Sequence, residues 1–134
     1  MSEVKIVRIR DVMSTHVNTI DGLATVAQAL AKMKEQNTAV LIVDKRHEND
    51  EYGMLLINDI ARQVLAKDRA PDRMNVYEVM TKPVVTVDPH MDIRYCARLF
   101  VNYDLVRAPV VENGRIIGIV SPFGLVMEGL YAMI

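Results

Sequence analysis

The chain carries one ten-residue pattern twice, 67 residues apart. Val12-Met13-Ser14-Thr15-His16-Val17-Asn18-Thr19-Ile20-Asp21 lies over Val79-Met80-Thr81-Lys82-Pro83-Val84-Val85-Thr86-Val87-Asp88, with identity at Val, Met, Val, Thr and Asp. A repeat of this period makes each copy about 60 residues long, too short to bury a comfortable core alone, so two copies are expected to pack as one body. What one copy folds into therefore predicts the other.

The agreement runs past the identities. Thr25 opens a T-x-x-Q capping box that ends at Gln28, and Asp92, at the same shift, is an equally good N-cap. Behind these caps, Val26, Ala29, Leu30 and Met33 match Ile93, Cys96, Ala97 and Phe100 at i, i+3, i+4 and i+7. That spacing lines one side of a helix. Each helix is followed by two short apolar runs. Ala39-Val40-Leu41-Ile42-Val43 and Gly53-Met54-Leu55-Leu56-Ile57 flank the polar loop from Asp44 to Tyr52. Ala108-Pro109-Val110-Val111 and Ile116-Ile117-Gly118-Ile119-Val120 flank Asn113-Gly114, which accepts the positive φ of a tight hairpin turn. A second helix closes each copy. Asn58 is expected to cap the one holding Ile60, Ala61, Val64 and Leu65, and Ser121-Pro122 opens the other. Each copy thus reads strand, helix, strand, strand, helix. The expected class is α/β (α+β), two βαββα repeats packed about a pseudo-two-fold axis. The first spans 1–74 with its N-terminal segment and a polar linker at 67–73, and the second spans 75–134.

Composition removes several functions. Hydrophobic residues make up 51% of the chain, and 16 Lys+Arg against 17 Asp+Glu leave a net charge of −1. Such a chain is neither disordered nor strongly basic, so it lacks the electrostatic footprint of a nucleic-acid binder. No apolar run approaches the roughly 18 to 20 residues of a membrane span, and Met1-Ser2-Glu3-Val4-Lys5 does not read as a leader. A lone cysteine, Cys96, cannot form an internal disulfide, which fits a cytoplasmic protein. Cys96 sits on an apolar stripe as a small hydrophobe. His16, His47 and His90 share no metal-ligand spacing. There is no phosphate-binding loop, dinucleotide fingerprint or nucleophile elbow. The expectation is a protein without catalytic residues, metal or cofactor, and not an enzyme.

The order Asp-Val-Met, Val-x-Thr-Ile/Val-Asp, helix, apolar-Pro-Val-Val and Gly-Ile-Val-Ser resembles the cystathionine-β-synthase (CBS) domain. Its two copies, over roughly residues 8 to 131, resemble the tandem pair called a Bateman module. The resemblance implies a regulatory module with clefts between paired sheets that take adenine nucleotides or related ligands: AMP, ADP, ATP or S-adenosylmethionine. It also implies a homodimer and a regulated protein partner, with no role for nucleic acid or membrane.

In the family's G-h-h-[ST]-x-x-[DN] pattern the hydroxyl meets phosphate and the acid holds ribose. Here the two features are divided. Gly53-Met54-Leu55-Leu56-Ile57-Asn58-Asp59 keeps the acid as Asp59, with Leu56 in the hydroxyl's place. Gly118-Ile119-Val120-Ser121-Pro122-Phe123-Gly124 keeps Ser121, with Gly124 in the acid's place. The resemblance further places Arg107 near phosphate, and Met54, Ile119, Val17 and Val84 against adenine. Each polar candidate has a structural role as well. Asp59 lies in the first turn of a helix, where an acid is favourable, and Ser121 is an N-cap. Arg107 is equally readable as a surface cation. Two functions therefore stand side by side: a sensor of an adenine-containing ligand, and a ligand-independent interaction module that keeps the fold.

Overall fold

A computed structural model of the protein describes residues 5–134. The first four residues, on which the leader reading partly rests, lie outside the described residues. In chain order the elements are α1 (Ile9–Val12), β1 (Thr19–Ile20), α2 (Val26–Gln36), β2 (Val40–Val43), β3 (Gly53–Leu56) and α3 (Ile57–Ile60). They continue with α4 (Ile93–Tyr103), β4 (Ala108–Glu112), β5 (Arg115–Val120) and α5 (Pro122–Gly124). The class is mixed α and β, as the repeat predicts.

Contacts gather the chain into two compact units, one of residues 18–84 and the other including residues 5–17 and 85–134. These limits differ from the repeat limits at 74 and 75 because the opening residues of each copy are buried with the strands of the other. Met74, Val76 and Val79 pack in one core with Leu41, Leu55 and Val26. Val7, Ile9 and Val12 pack in the second with Val110, Val120 and Cys96. The sequence similarity and the core assignments are thus offset by one segment.

In the unit of residues 18–84, β1 runs parallel to β2, with Thr19 opposite Ile42, and β2 runs antiparallel to β3, with Val40 opposite Leu56. In the other unit β4 and β5 form the hairpin, turning at Asn113 (φ 53°) and Gly114 (φ 76°). Its first strand shrinks to Val87, which bridges Val110 in parallel through Val87 N–H to the Pro109 carbonyl (3.0 Å) and Val111 N–H to the Val87 carbonyl (2.9 Å). Pro89 and Pro109 each withhold an N–H from the ladder, which shortens it.

The first helices of the copies form as their caps require. Thr25 Oγ1 accepts from Gln28 N–H (3.1 Å) while Gln28 Oε1 accepts from Thr25 N–H (2.8 Å). Asp92 Oδ1 accepts from Arg94 N–H (2.8 Å). Both helices end on a left-handed residue, Asn37 (φ 51°) and Asp104 (φ 52°), types whose short polar side chains tolerate that conformation. Val26, Ala29 and Met33 are buried and Leu30 packs beside them. On α4, Ile93, Cys96 and Phe100 are buried, but Ala97 is exposed. The larger Leu99 packs against the core, so the stripe turns away from Ala97.

The second helices bring two corrections. Asn58 is not the cap. Leu56 still has strand dihedrals (φ −101°, ψ 150°), Ile57 N–H is held by the Ala39 carbonyl (2.9 Å), and the helix begins there. Asn58 is therefore inside the first turn and exposed. Beyond α3 and α5 the chain continues in wide turns at Ala61–Leu65 and Leu125–Leu130, with i→i+5 bonds such as Ala66 N–H to Ala61 carbonyl (2.9 Å). Ser121 caps α5 as expected, its Oγ accepting from Gly124 N–H (3.2 Å).

Candidate functional site

Each unit holds the opening segment of a copy against the inner end of a hairpin strand. Thr81 and Met54 exchange a pair of backbone hydrogen bonds (2.8 and 2.9 Å), and Ser14 and Ile119 do the same (2.9 Å each). A glycine stands beside each pairing. A Cβ on Gly53 would come within 2.7 Å of Met80 Sδ, and one on Gly118 within 2.6 Å of Met13 Sδ and 2.9 Å of the Ser14 carbonyl. The G-h-h pattern is thus partly a packing requirement. Its glycine lets a Met-Ser or Met-Thr segment lie flat on the strand.

Beside the Ser14–Ile119 pairing lies an open hollow of about 320 Å³. Asp11, Val12, Met13 and Ser14 form one wall, and Ile119 and Ser121 another. Phe123, Gly124 and Glu128, from α5 and the turn beyond it, complete the lining. The size is at the lower end for a small-molecule site and suits a nucleoside-sized group. Ile119 is buried, Ser121 is half-buried with its hydroxyl in the cap, and Phe123 stands exposed at the rim. The charged lining residues, Asp11 and Glu128, are both acidic.

Of the residues expected from sequence, Ile119 and Ser121 meet in this hollow. Val17 falls in the same unit and is half-buried. Arg107, also in this unit, is not among the lining residues; its Nη1 donates to the Val106 carbonyl (2.8 Å). Met54, Asp59 and Val84 belong to the unit of residues 18–84. Met54 is buried on β3 and Val84 half-buried. Asp59 is 4% exposed, and both of its oxygens are engaged: Oδ2 accepts from Leu56 N–H (2.9 Å) and Oδ1 from Arg62 Nη2 (2.9 Å). It supplies the cap that Leu56 cannot.

Sequence reasoning missed Ser14, Phe123, Asp11 and Glu128. A signal for Ser14 exists, since it occupies the position of Thr81 in the repeat. The other three come from helix faces whose orientation no short motif reports. The Cys96 thiol is pushed up to about 11 by burial, so it stays protonated and unreactive near neutral pH. Among the described residues no three His, Cys, Asp or Glu side chains converge as metal ligands, and no helix is long and apolar enough to cross a membrane.

Known proteins of the same build bear on the site. The CBS-domain family profile matches residues 9–66 and 76–128. The chain is 29% identical over 113 residues to the CBS domain-containing protein YhcV of Bacillus subtilis, covering 84% of this chain and 79% of that one. It is also 29% identical over 117 residues to an uncharacterized protein of Methanopyrus kandleri, covering 86% of this chain but only 59% of the relative's length. Among solved structures, a hexameric CBS-CP12 protein from bloom-forming cyanobacteria superposes with a TM-score of 0.90 at 38% identity, over 95% of this chain and 73% of that one. The CBS domain pair of protein MJ0100, solved with 5′-methylthioadenosine and S-adenosyl-L-methionine, shares the fold at 22% identity and a TM-score of 0.79, over 96% and 98% of the chains. Two tandem matches, in the order in which the repeat occurs, place the chain in the CBS-domain family as a CBS pair.

Proposed function

We propose that this CBS pair is a non-catalytic, cytoplasmic regulatory module that senses an adenosyl-containing ligand and passes its state to a self-associated copy or a protein partner. The observation that carries this reading is the hollow beside Ser14 and Ile119, where the apolar side chains of Val12, Met13 and Ile119 meet two hydroxyl side chains and an exposed aromatic ring. The apolar part of the lining suits a purine, Phe123 offers a face for stacking, and the hydroxyls of Ser14 and Ser121 can donate to ribose or a neighbouring acceptor. Asp11 and Glu128 add negative potential, which opposes a polyphosphate and favours a neutral or cationic ligand. Among the candidates, S-adenosylmethionine is thus preferred to ATP, with AMP and ADP between. The complex of the MJ0100 pair with two adenosyl compounds supports the ligand class.

A second reading has its own observation. Asp59 is buried with both oxygens engaged, and Leu56 stands where the family has a hydroxyl, so the unit of residues 18–84 carries a structural rather than a recognising version of the motif. A ligand-independent interaction module would look like this in both units. Thermal denaturation with S-adenosylmethionine, 5′-methylthioadenosine, AMP, ADP and ATP separates the two. Binding to the folded state alone stabilises it, by about 2.7 kcal/mol at one hundred times Kd, and so raises the melting temperature. The expected result is a larger rise with S-adenosylmethionine than with ATP. No rise with any of the five leaves the interaction module.

A further inference from the structure

The two docked segments are fastened unequally. In both units a methionine lies against a glycine and the next residue pairs with the strand: Met80 on Gly53 with Thr81–Met54, and Met13 on Gly118 with Ser14–Ile119. The third residue differs. Lys82 Nζ reaches both oxygens of Asp50, at 2.8 Å to Oδ1 and 3.0 Å to Oδ2. Asp50 also accepts from Arg46 N–H (2.9 Å) and sits at 3.4 Å from Arg46 Nε, with its side chain 9% exposed. The polar loop that supplies Asp50 is itself organised, with Asp50 N–H donating to the His47 carbonyl (3.1 Å) and Lys45 Nζ over the Tyr52 ring (4.8 Å to its centre). In the repeat Thr15 stands at the position of Lys82, and the ion pair that ties this segment to its hairpin, Arg10 Nη2 to Glu112 Oε2 (2.5 Å), lies three residues before Met13 and is more exposed, at 46% and 33% for the two side chains.

We propose that the Asp50–Lys82 ion pair is a clasp that makes the segment at residues 80–82 a fixed part of its unit, and that the segment at residues 13–15 is by contrast a releasable wall of the hollow. The long loop between β2 and β3, where the second copy has a two-residue turn, supplies Asp50. The segment held by the more exposed pair is also the one that lines the hollow through Met13 and Ser14. Its opening widens the hollow and its closing completes one wall, so the fold places local mobility where a ligand enters. Lys82 and Asp50 are 22% and 9% exposed, and a charge-assisted pair shielded to this extent slows local opening more than the more exposed Arg10–Glu112 pair.

Hydrogen–deuterium exchange on the full chain without any ligand tests this, so its outcome is independent of the adenosyl reading. After correction for intrinsic rates, the amides of Ser14 and Ile119 are expected to exchange about tenfold or more faster than those of Thr81 and Met54. Asp50→Asn and, separately, Lys82→Met are expected to raise exchange at Thr81 and Met54 about tenfold and leave Ser14 and Ile119 unchanged. Two variants that remove opposite charges guard against one failing to fold, and the wild-type comparison stands without either. Equal protection of the two pairs in the wild type overturns the proposal, as does a uniform rise across both units in a folded variant.

Discussion

Single atoms decide the two glycine positions, and they do not decide them equally. A Cβ on Gly53 meets chiefly the end of the Met80 side chain, which can swing away. A Cβ on Gly118 meets the Ser14 carbonyl at 2.9 Å as well as Met13, so making room there breaks the Ser14–Ile119 pairing. Gly118→Ala should therefore lower stability by about 1–3 kcal/mol, the usual cost of overpacking, and Gly53→Ala by distinctly less. Urea unfolding of the two variants gives the comparison, and an equal cost would mean that the 3.2 Å contact with Val43 Cβ at Gly53 weighs as much as the Ser14 carbonyl at Gly118. Cys96 sets a limit at high pH. Burial raises its thiol to about 11, above the ordinary value of 9.0, so between these values the unfolded chain ionises and the folded one does not. The unfolded state then binds fewer protons, and stability falls as pH rises through that window. Cys96→Ala should remove this part of the slope, and the difference between the two proteins' pH profiles isolates it from the other titrating groups. At this scale sequence is most informative where a residue has one local role. Thr25, Asp92 and Ser121 cap as their positions predict. Asp59 is readable as both a structural and a binding acid because its type suits both. Only the positions of Leu56 N–H and Arg62 show that its oxygens are engaged.

Among the elements, the paired first helices follow their period closely and the second helices do not. A stripe at 3.6 spacing is a property of the chain, so α2 and α4 are legible from their caps and apolar residues. The wide turns at Ala61–Leu65 and Leu125–Leu130 have no such signature, since an i→i+5 bond requires no particular residue and reflects packing at the helix end. The hollow is illegible for the same reason: Phe123, Gly124 and Glu128 reach it because α5 opens on Ser121 and Pro122 at one particular angle. The cap at Ser121 therefore both starts this helix and shapes the site. Thr25→Ala removes a cap remote from the hollow, and Ser121→Ala removes one that lines it; each should lower stability by about 1 kcal/mol. Titration calorimetry with S-adenosylmethionine, under conditions where both variants are folded, should show weaker binding for Ser121→Ala alone. Equal affinities would detach Ser121 from the ligand and leave it only as a cap.

Over the whole molecule the remaining question is what covers the apolar surface. The helical end of each copy leaves large side chains in water. Leu65 is 79% exposed beside Ile57, and the corresponding end of the second copy exposes Met127, Leu130 and Tyr131. In the unit of residues 18–84 these side chains rim an apolar hollow of about 300 Å³, lined by Leu30, Ile60, Val64 and Pro71 among others. Scattered exposed leucines are ordinary, but an apolar groove edged by more apolar side chains is typical of surfaces that pair. The offset of cores and repeats adds a reason. Each copy's strands hold the other's opening segment, while Leu65, Leu130 and Tyr131 on the closing helical segments stay exposed. Closed two-fold pairing is the commonest solution for a surface that meets itself, and a dimer is accordingly expected. Leu65→Asp places a charge on this surface without touching either core or the hollow beside Ser14. Sedimentation at micromolar concentration should show a dimer for the wild type and a monomer for Leu65→Asp, with unchanged far-ultraviolet circular dichroism. A wild-type monomer would show that the face is left open or reserved for a different protein. A variant that stays dimeric would move the interface away from Leu65, with the exposed Leu130 and Tyr131 end as the next surface to alter.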